Sequence, residues 1–389
     1  MSERGAEVNA RDKDLATPLH FACLRGCFPI ARALLDHGAD INARNSDDQT
    51  PLHQAQRSNP FSDYNEGCEP SVSLLLERGA EVNARDKYDT TPLHLASYKS
   101  NLESARVLLD YGADAEAQNA EGQTPLHRAS QSSDHWKIYD DDSHIDPHRV
   151  VQLLLERGVN VNVRDNDQRT PLHLASYNLD LKTVQVLLDY GAEADARDAD
   201  DQTPLHRVSR SSQNGKYDGS RVAQLLLERG VDVDARDNDQ ATPLHLASQF
   251  VHANVAKVLL DHGARARAED VGGQTPLHRV LFSHQNYKSL GMNSHASQVD
   301  PGKAVRFVHQ LLESGADVNA RNNDKETPLH LASHLRLHQM ARFLLNHGAD
   351  VNVKNSDGKT PLQLATGRKR KAMKRLLLEY CTQPRRHDT

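Results

Sequence analysis

The chain has 389 residues, with 47 lysines and arginines against 53 aspartates and glutamates and a formal net charge of -6. Single cores seldom grow beyond roughly 250 to 300 residues, so a globular reading calls for two or three domains, a limit that a repeat array escapes. The mildly acidic balance argues against a general nucleic-acid binder, which needs broad cationic surface to displace phosphate counterions, and four scattered cysteines, Cys23, Cys27, Cys68 and Cys381, argue against a disulfide framework or a zinc site.

Residues 1–16 begin without the apolar core of a signal peptide, and no run of about 18 apolar residues follows anywhere. Glu3–Asp12 is identical to Glu77–Asp86. The chain is therefore expected to open inside the tail of an incomplete upstream unit, as a fragment, a shortened gene model, or an array whose first face a partner covers.

From Thr17 onward one signature recurs. Thr-Pro-Leu-His begins at Thr17, Thr50, Thr91, Thr124, Thr170, Thr203, Thr242, Thr275 and Thr327, and Thr-Pro-Leu-Gln at Thr360. Threonine caps the first amides of a helix and proline is preset for its first turn, so each tetrapeptide predicts a helix start. In the shorter units a glycine follows 21 residues later, as at Gly38, Gly112, Gly191, Gly263 and Gly348, each after an apolar pair such as Leu34/Leu35. Glycine there closes a helix in the left-handed conformation. Two short helices per unit result, joined to the next unit by about a dozen polar connector residues such as Ala39–Gln49.

Ten such openings in phase, with a first step of 33 residues, resemble the ankyrin repeat over nearly the whole chain. The resemblance implies an all-α repeat solenoid of antiparallel helix pairs with projecting β-hairpin or turn fingers, in a single elongated curved array spanning 1–389 with a flexible tail at 380–389. It also implies that motif histidines such as His20, His94 and His330 tie neighbouring units together by hydrogen bonds. The pattern departs from the family in two places. Only Gly122, Gly273 and Gly358 stand two residues before a threonine; Asp48, Asp89 and Asp201 tolerate a positive φ, whereas Leu15, Gln168, Gln240 and Lys325 predict less regular fingers. The inter-helix glycine is kept as Gly26 but becomes Ser100, Leu179, Val251 and Arg336, which predicts deviating turns.

A second period runs through the array. Successive threonines are 33, 41, 33, 46, 33, 39, 33, 52 and 33 residues apart, so every second unit is lengthened and the unit of duplication is a pair. The residue after the motif alternates too, Leu95, Leu174, Leu246 or Leu331 against Gln54, Arg128, Arg207 or Arg279. Because the extra residues fall between threonine and closing glycine, they predict insertions between the two helices, at about 58–70, 131–147, 209–220 and 283–301, all along one rim. Asp146-Pro147 and Asp300-Pro301 read as restarts of the second helix.

Each insertion carries one tyrosine, Tyr64, Tyr139, Tyr217 or Tyr287, and the only tryptophan, Trp136, lies in the second. Aromatic residues in long polar loops are candidate partner contacts, with anchoring of their own loop as the alternative. A second candidate surface is the concave face, where the family exposes its first helices beside the fingers. Tyr98, Tyr177 and Phe250 stand late in those helices, with Arg128, Arg207 and Arg279 in alternate units; aromatic and arginine side chains anchor protein interfaces. The competing reading pairs those arginines with acids of the next finger.

Other signals point elsewhere or nowhere. His135, His144 and His148 with Asp140–Asp142 lack a diagnostic metal spacing and read as a solvated loop. No phosphate-cradling glycine loop, His-Glu-x-x-His or Gly-x-Ser-x-Gly occurs. Arg368, Lys369, Arg370 and Lys371 give the last unit a basic outer face, which suits a terminal cap and alternatively an import-receptor signal. The expectation is a non-enzymatic scaffold or adaptor that binds partner proteins through concave face, fingers and rim insertions. It needs no cofactor, metal, small-molecule substrate, nucleic acid or membrane insertion, and works inside the cell, in the cytoplasm or alternatively the nucleus. The alternatives are the ligand-sensing part of a larger signalling or enzymatic chain, or a nuclear regulator.

Overall fold

A computed structural model describes residues 7–57, 68–131, 147–211, 218–289, 301–365 and 371–382. Local chemistry at each threonine sets the pattern. Thr17 is extended (φ -92°, ψ 164°) with Pro18 at the first helical turn, and its N–H and hydroxyl converge on Nδ1 of His20 at 3.1 and 2.9 Å. That arrangement satisfies otherwise orphaned groups at the helix start and recurs at the other motif threonines. At Thr360 the cap is kept by Gln363, whose Oε1 accepts the Thr360 N–H at 2.9 Å.

The chain divides into two units, residues 1–199 and 200–389. The first unit contains α1 (Pro18–Leu24) and α2 (Phe28–Asp36), α3 (Pro51–Ala55) and α4 (Cys68–Glu77), α5 (Pro92–Tyr98) and α6 (Leu102–Asp110), α7 (Pro125–Gln131) and α8 (Pro147–Glu156), and α9 (Pro171–Asn178) and α10 (Leu181–Asp189). The second contains α11 (Pro204–Arg210) and α12 (Ser220–Glu228), α13 (Pro243–Gln249) and α14 (Ala253–Asp261), α15 (Pro276–Ser289) and α16 (Pro301–Glu313), α17 (Pro328–Leu335) and α18 (His338–Asn346), and α19 (Pro361–Leu364) and α20 (Lys371–Cys381). All the regular structure among the described residues is helical.

Within each unit, first helices stack on first helices and second on second, as α5 on α7 and α12 on α14. The motif leucine points into this stack: Leu19, Leu93, Leu172, Leu244 and Leu329 are fully buried. The second helices add Leu108, Leu187 and Leu259, also fully buried. Each helix pair thus hides its apolar side only by meeting its neighbours, the organisation of a repeat array.

The connectors are turns, and the expected irregularity is absent. In eight of them an Asp or Asn accepts backbone N–H groups two and four residues ahead, as Asp12 Oδ1 does from Asp14 and Ala16 at 2.9 and 2.8 Å. The residue between those two donors is forced to a positive φ whatever its side chain. Leu15, Gln168, Gln240 and Lys325 take φ 56–59°, matching the glycine-bearing turns. The inter-helix turns are likewise regular, with Ser100, Leu179, Val251 and Arg336 at φ 55–63°.

Insertion boundaries differ from the sequence expectation most at the fourth insertion. Helix α15 continues to Ser289, seven residues into the stretch read as the fourth insertion. The restarts fall at Pro147 and Pro301, whereas α4 begins at Cys68, ahead of Pro70.

Candidate protein-interaction surface

The surface is built on a lattice of inter-repeat hydrogen bonds. Because Nδ1 of each motif histidine accepts, its Nε2–H donates, and at eight joints it meets a carbonyl of the following connector at 2.9–3.2 Å, from His20 on Gln49 to His330 on Lys359. Burial holds these rings neutral: His94, His245 and His278 are lowered to about 4, chiefly by desolvation. The histidines are therefore ties between repeats and are not presented to solvent.

Connector asparagines add a second row. Asn83 donates to the Gly112 carbonyl at 3.1 Å and accepts the Asp114 N–H at 2.8 Å, and Asn9, Asn162 and Asn319 make the same two-sided clamp. At the fingertips, each turn donates one backbone bond to the turn before it, such as Ala120 N–H to Tyr88 O at 3.0 Å and Asn323 N–H to Gly272 O at 3.1 Å. A finger is thus held at its base and its tip, which fixes the spacing of whatever it displays.

On the first-helix face, all six residues singled out from the sequence are half-buried. In the first unit Arg128 lies over the Tyr98 ring, 4.4 Å from its centroid, and donates to Gln131 Oε1 at 3.1 Å. Burial lowers the Arg128 pKa. In the second unit the equivalent place to Tyr98 is Gln249, whose Oε1 accepts from Arg279 at 3.2 Å, while Phe250 stacks on His252 at 5.8 Å. Arg279 is also paired with the fully buried Asp270 carboxylate, its Nε 2.7 Å away. Arg207 lies 4.0 Å from Asp200. The acids engaged belong to the arginine's own finger rather than the next one. Tyr177 sits on α9 as expected.

At two of the four rim insertions the following short unit holds the end of the first helix. Asn178 donates to the Gln131 carbonyl at 2.9 Å, and His252 bonds the Ser209 carbonyl at 2.9 Å, each in the last turn of the first helix that an insertion follows. Tyr64, Trp136, Tyr139 and Tyr217 lie outside the described residues, and of Tyr287 only the placement on α15 is described. Arg368, Lys369 and Arg370 also lie outside them, and Lys371 opens α20. Among the described residues no group of three metal-ligating side chains converges, and no helix is long and apolar enough to cross a membrane.

Two exposed residues went unnoticed in the sequence. Tyr88 is 59 % exposed and Val271 64 % exposed, each at a fingertip. The signal was available: both are large apolar residues in connectors that are otherwise polar.

Comparison with protein families decides the assignment. A family described as ankyrin repeats (3 copies) matches residues 1–86, 143–237, 211–290 and 295–388, and ankyrin repeats (many copies) matches 75–129. The chain belongs to the ankyrin-repeat family. Ankyrin repeats are generally modules of protein–protein interaction. The comparison with curated proteins finds no match.

Proposed function

We propose that this ankyrin-repeat chain is a scaffold or adaptor that holds partner proteins along its first-helix faces and fingers, with the rim insertions as further contacts. The observation that carries this reading is the Tyr98–Arg128 pair. An aromatic ring braced by a guanidinium on a rigid helix face loses little entropy on binding and offers large contact area, the character of interface anchors. Tyr177 late in α9, Phe250 just past the end of α13, and Tyr88 and Val271 at the fingertips extend the same kind of surface. The insertions are included because Asn178 and His252 bond the ends of the first helices from which two of them depart. Arg279 contributes in this scheme by fixing the finger around Asp270. The import-receptor reading of Arg368–Lys371 gains no support from the family match.

Affinity purification of the full chain, followed by mass spectrometry, tests the proposal. Tyr98→Ala combined with Arg128→Ala is expected to remove the partners captured by the native chain. Tyr111→Ala, at an exposed second-helix end, is expected to retain them. Equal loss from both variants, or from neither, contradicts the assignment of the first-helix face. Shortening the four insertions in the same assay measures their share.

A further inference from the structure

One connector reverses the charge order of most of the others. Two residues past the closing glycine the chain has an acid in eight of the nine other connectors, as Asp232 and Asp317 flanking this one, and six residues past it a cation in eight of nine, as Arg236 and Arg321. After Gly263 those places hold Arg265 and Glu269, and Arg267 stands between them where the neighbours carry Asp234 and Asn319. Burial sorts the segment cleanly. Ala264, Ala266 and Ala268 are buried, whereas Arg265, Arg267 and Glu269 are exposed, in a turn closed by the Ala268 N–H on Arg265 O at 3.0 Å.

These side chains meet a groove. Arg236, Arg265, Arg267 and Glu269, with Ser314 and Gly315 of the following repeat, line an open cavity of about 590 Å³. Arg236 crosses from one finger to the next, with Nη1 donating to the Glu269 carbonyl at 2.8 Å. Arg267 directs Nε to the Gly315 carbonyl at 2.6 Å, which orients its guanidinium and replaces the donor half of the asparagine clamp. Arg265 has Nε 3.4 Å from Asp234, yet its side chain is 78 % exposed. The reversal gives up a local bond, because Asp232 and Asp317 accept the Asp234 and Asn319 N–H groups at 3.0 and 2.8 Å, which the arginine at that place cannot do.

We propose that this groove binds an acidic peptide segment of a partner, with Arg265 and Arg267 holding neighbouring carboxylates. The inference rests on the protein-binding reading above and names one chemistry that the partner carries. Guanidinium forks match carboxylates in geometry as well as charge. The balance of the lining, three arginines against one glutamate, suits one or two carboxylates. A nucleic acid, with a charge on every nucleotide, would meet Glu269, Asp234 and the flanking Asp232 and Asp317 as well. An open trench between two connectors also admits an extended chain from either end.

The test uses the full chain and a fluorescein-labelled eight-residue peptide alternating Glu and Ser, read by anisotropy at low salt. The double variant Arg265→Asp, Arg267→Asn restores the residue types of the neighbouring connectors, so its fold should be kept, as a circular-dichroism melt would verify. Binding is expected to weaken at least tenfold in that variant and about threefold in Arg265→Gln, which removes only the guanidinium beside Asp234. A peptide with Gln in place of Glu is expected to bind the native chain no better than it binds the double variant. Unchanged affinity in either variant overturns the proposal, as does displacement of the peptide by inorganic phosphate or by a short single-stranded RNA at equal concentration. Partner capture through the Tyr98–Arg128 face is measured separately. If that capture persists while the peptide result fails, only the groove assignment falls; if capture fails while the peptide binds, only the face assignment does.

Discussion

At the scale of single residues, backbone strain is retained at places that glycine would fill without cost. Gln240 and Lys325 are exposed and sit at φ 58° and 56°, a region that costs a side-chain-bearing residue about 1–2 kcal/mol. Gln240→Gly and Lys325→Gly are each expected to stabilise the chain by about 0.5–1 kcal/mol, after the greater freedom of glycine in the unfolded chain is subtracted. Urea unfolding would show this as a higher midpoint with unchanged slope. Gly273→Ala has the opposite sign for a second reason. A Cβ there would stand 2.8 Å from the Asn323 nitrogen, the same nitrogen that bonds Gly272 O across the fingertips, so the next finger would have to move. Histidine follows similar logic. His94→Ala leaves the Thr91 N–H and the Gln123 carbonyl without their buried partner, at about 1–3 kcal/mol for each orphaned group. His94→Gln keeps the cap, as Gln363 does, and should cost markedly less in the same melt.

At the scale of the element, the sequence was explicit where one residue type does one job. Thr-Pro starts every first helix because cap and preset φ act locally, and the helix ends follow from Gly38 and its counterparts. The regular turns at Leu15 and Gln168 were missed because the determinant sits three residues earlier, in Asp12 and Asp165, which fix the turn through their backbone bonds. The length of α15 was also hidden, since Ser283–Ser289 has neither apolar period nor cap to mark a helix. The role of Arg279 depended on space rather than order. It stands nine residues beyond Asp270, and only the fold of finger onto helix brings them together. Asp270 is fully buried and already accepts the Gly272 and Gln274 N–H groups on its other oxygen. Arg279→Ala is therefore expected to destabilise the second unit by about 3–5 kcal/mol, the usual consequence of leaving a buried charge unpaired. A thermal melt close to that of the native chain would remove this structural role and return Arg279 to the surface as a contact.

At the scale of the whole molecule, the repeated histidine ties make stability a function of pH. Each has the same chemistry: a neutral ring, desolvated, accepting at Nδ1 and donating at Nε2 to the next repeat. In the unfolded chain a histidine titrates near its ordinary value of 6.5, whereas His94, His245 and His278 are lowered to about 4 in the fold. Above pH 6.5 neither state is protonated and their contribution is complete. As pH falls below 6.5 the unfolded chain takes up protons that the folded chain refuses, so stability declines until about pH 4, where the folded rings protonate as well. At pH 5 the loss is about 2 kcal/mol for each of the three, from roughly 1.4 kcal/mol per unit of displacement, and lowered values at His20, His53, His127 and His330 act in the same direction. Because a repeat array adds its joints nearly independently, these losses accumulate along the chain, and a sum comparable to the 5–15 kcal/mol of an ordinary domain is reached above pH 4. Urea titrations at pH 7.5, 6 and 5 are expected to show a steep fall in midpoint, and His94→Gln, His245→Gln and His278→Gln together should flatten it while lowering stability at pH 7.5. A midpoint that stays level between pH 7.5 and 5 would mean that the rings are hydrated in the fold, and the inter-repeat bonds would then lose the buried setting that makes them matter.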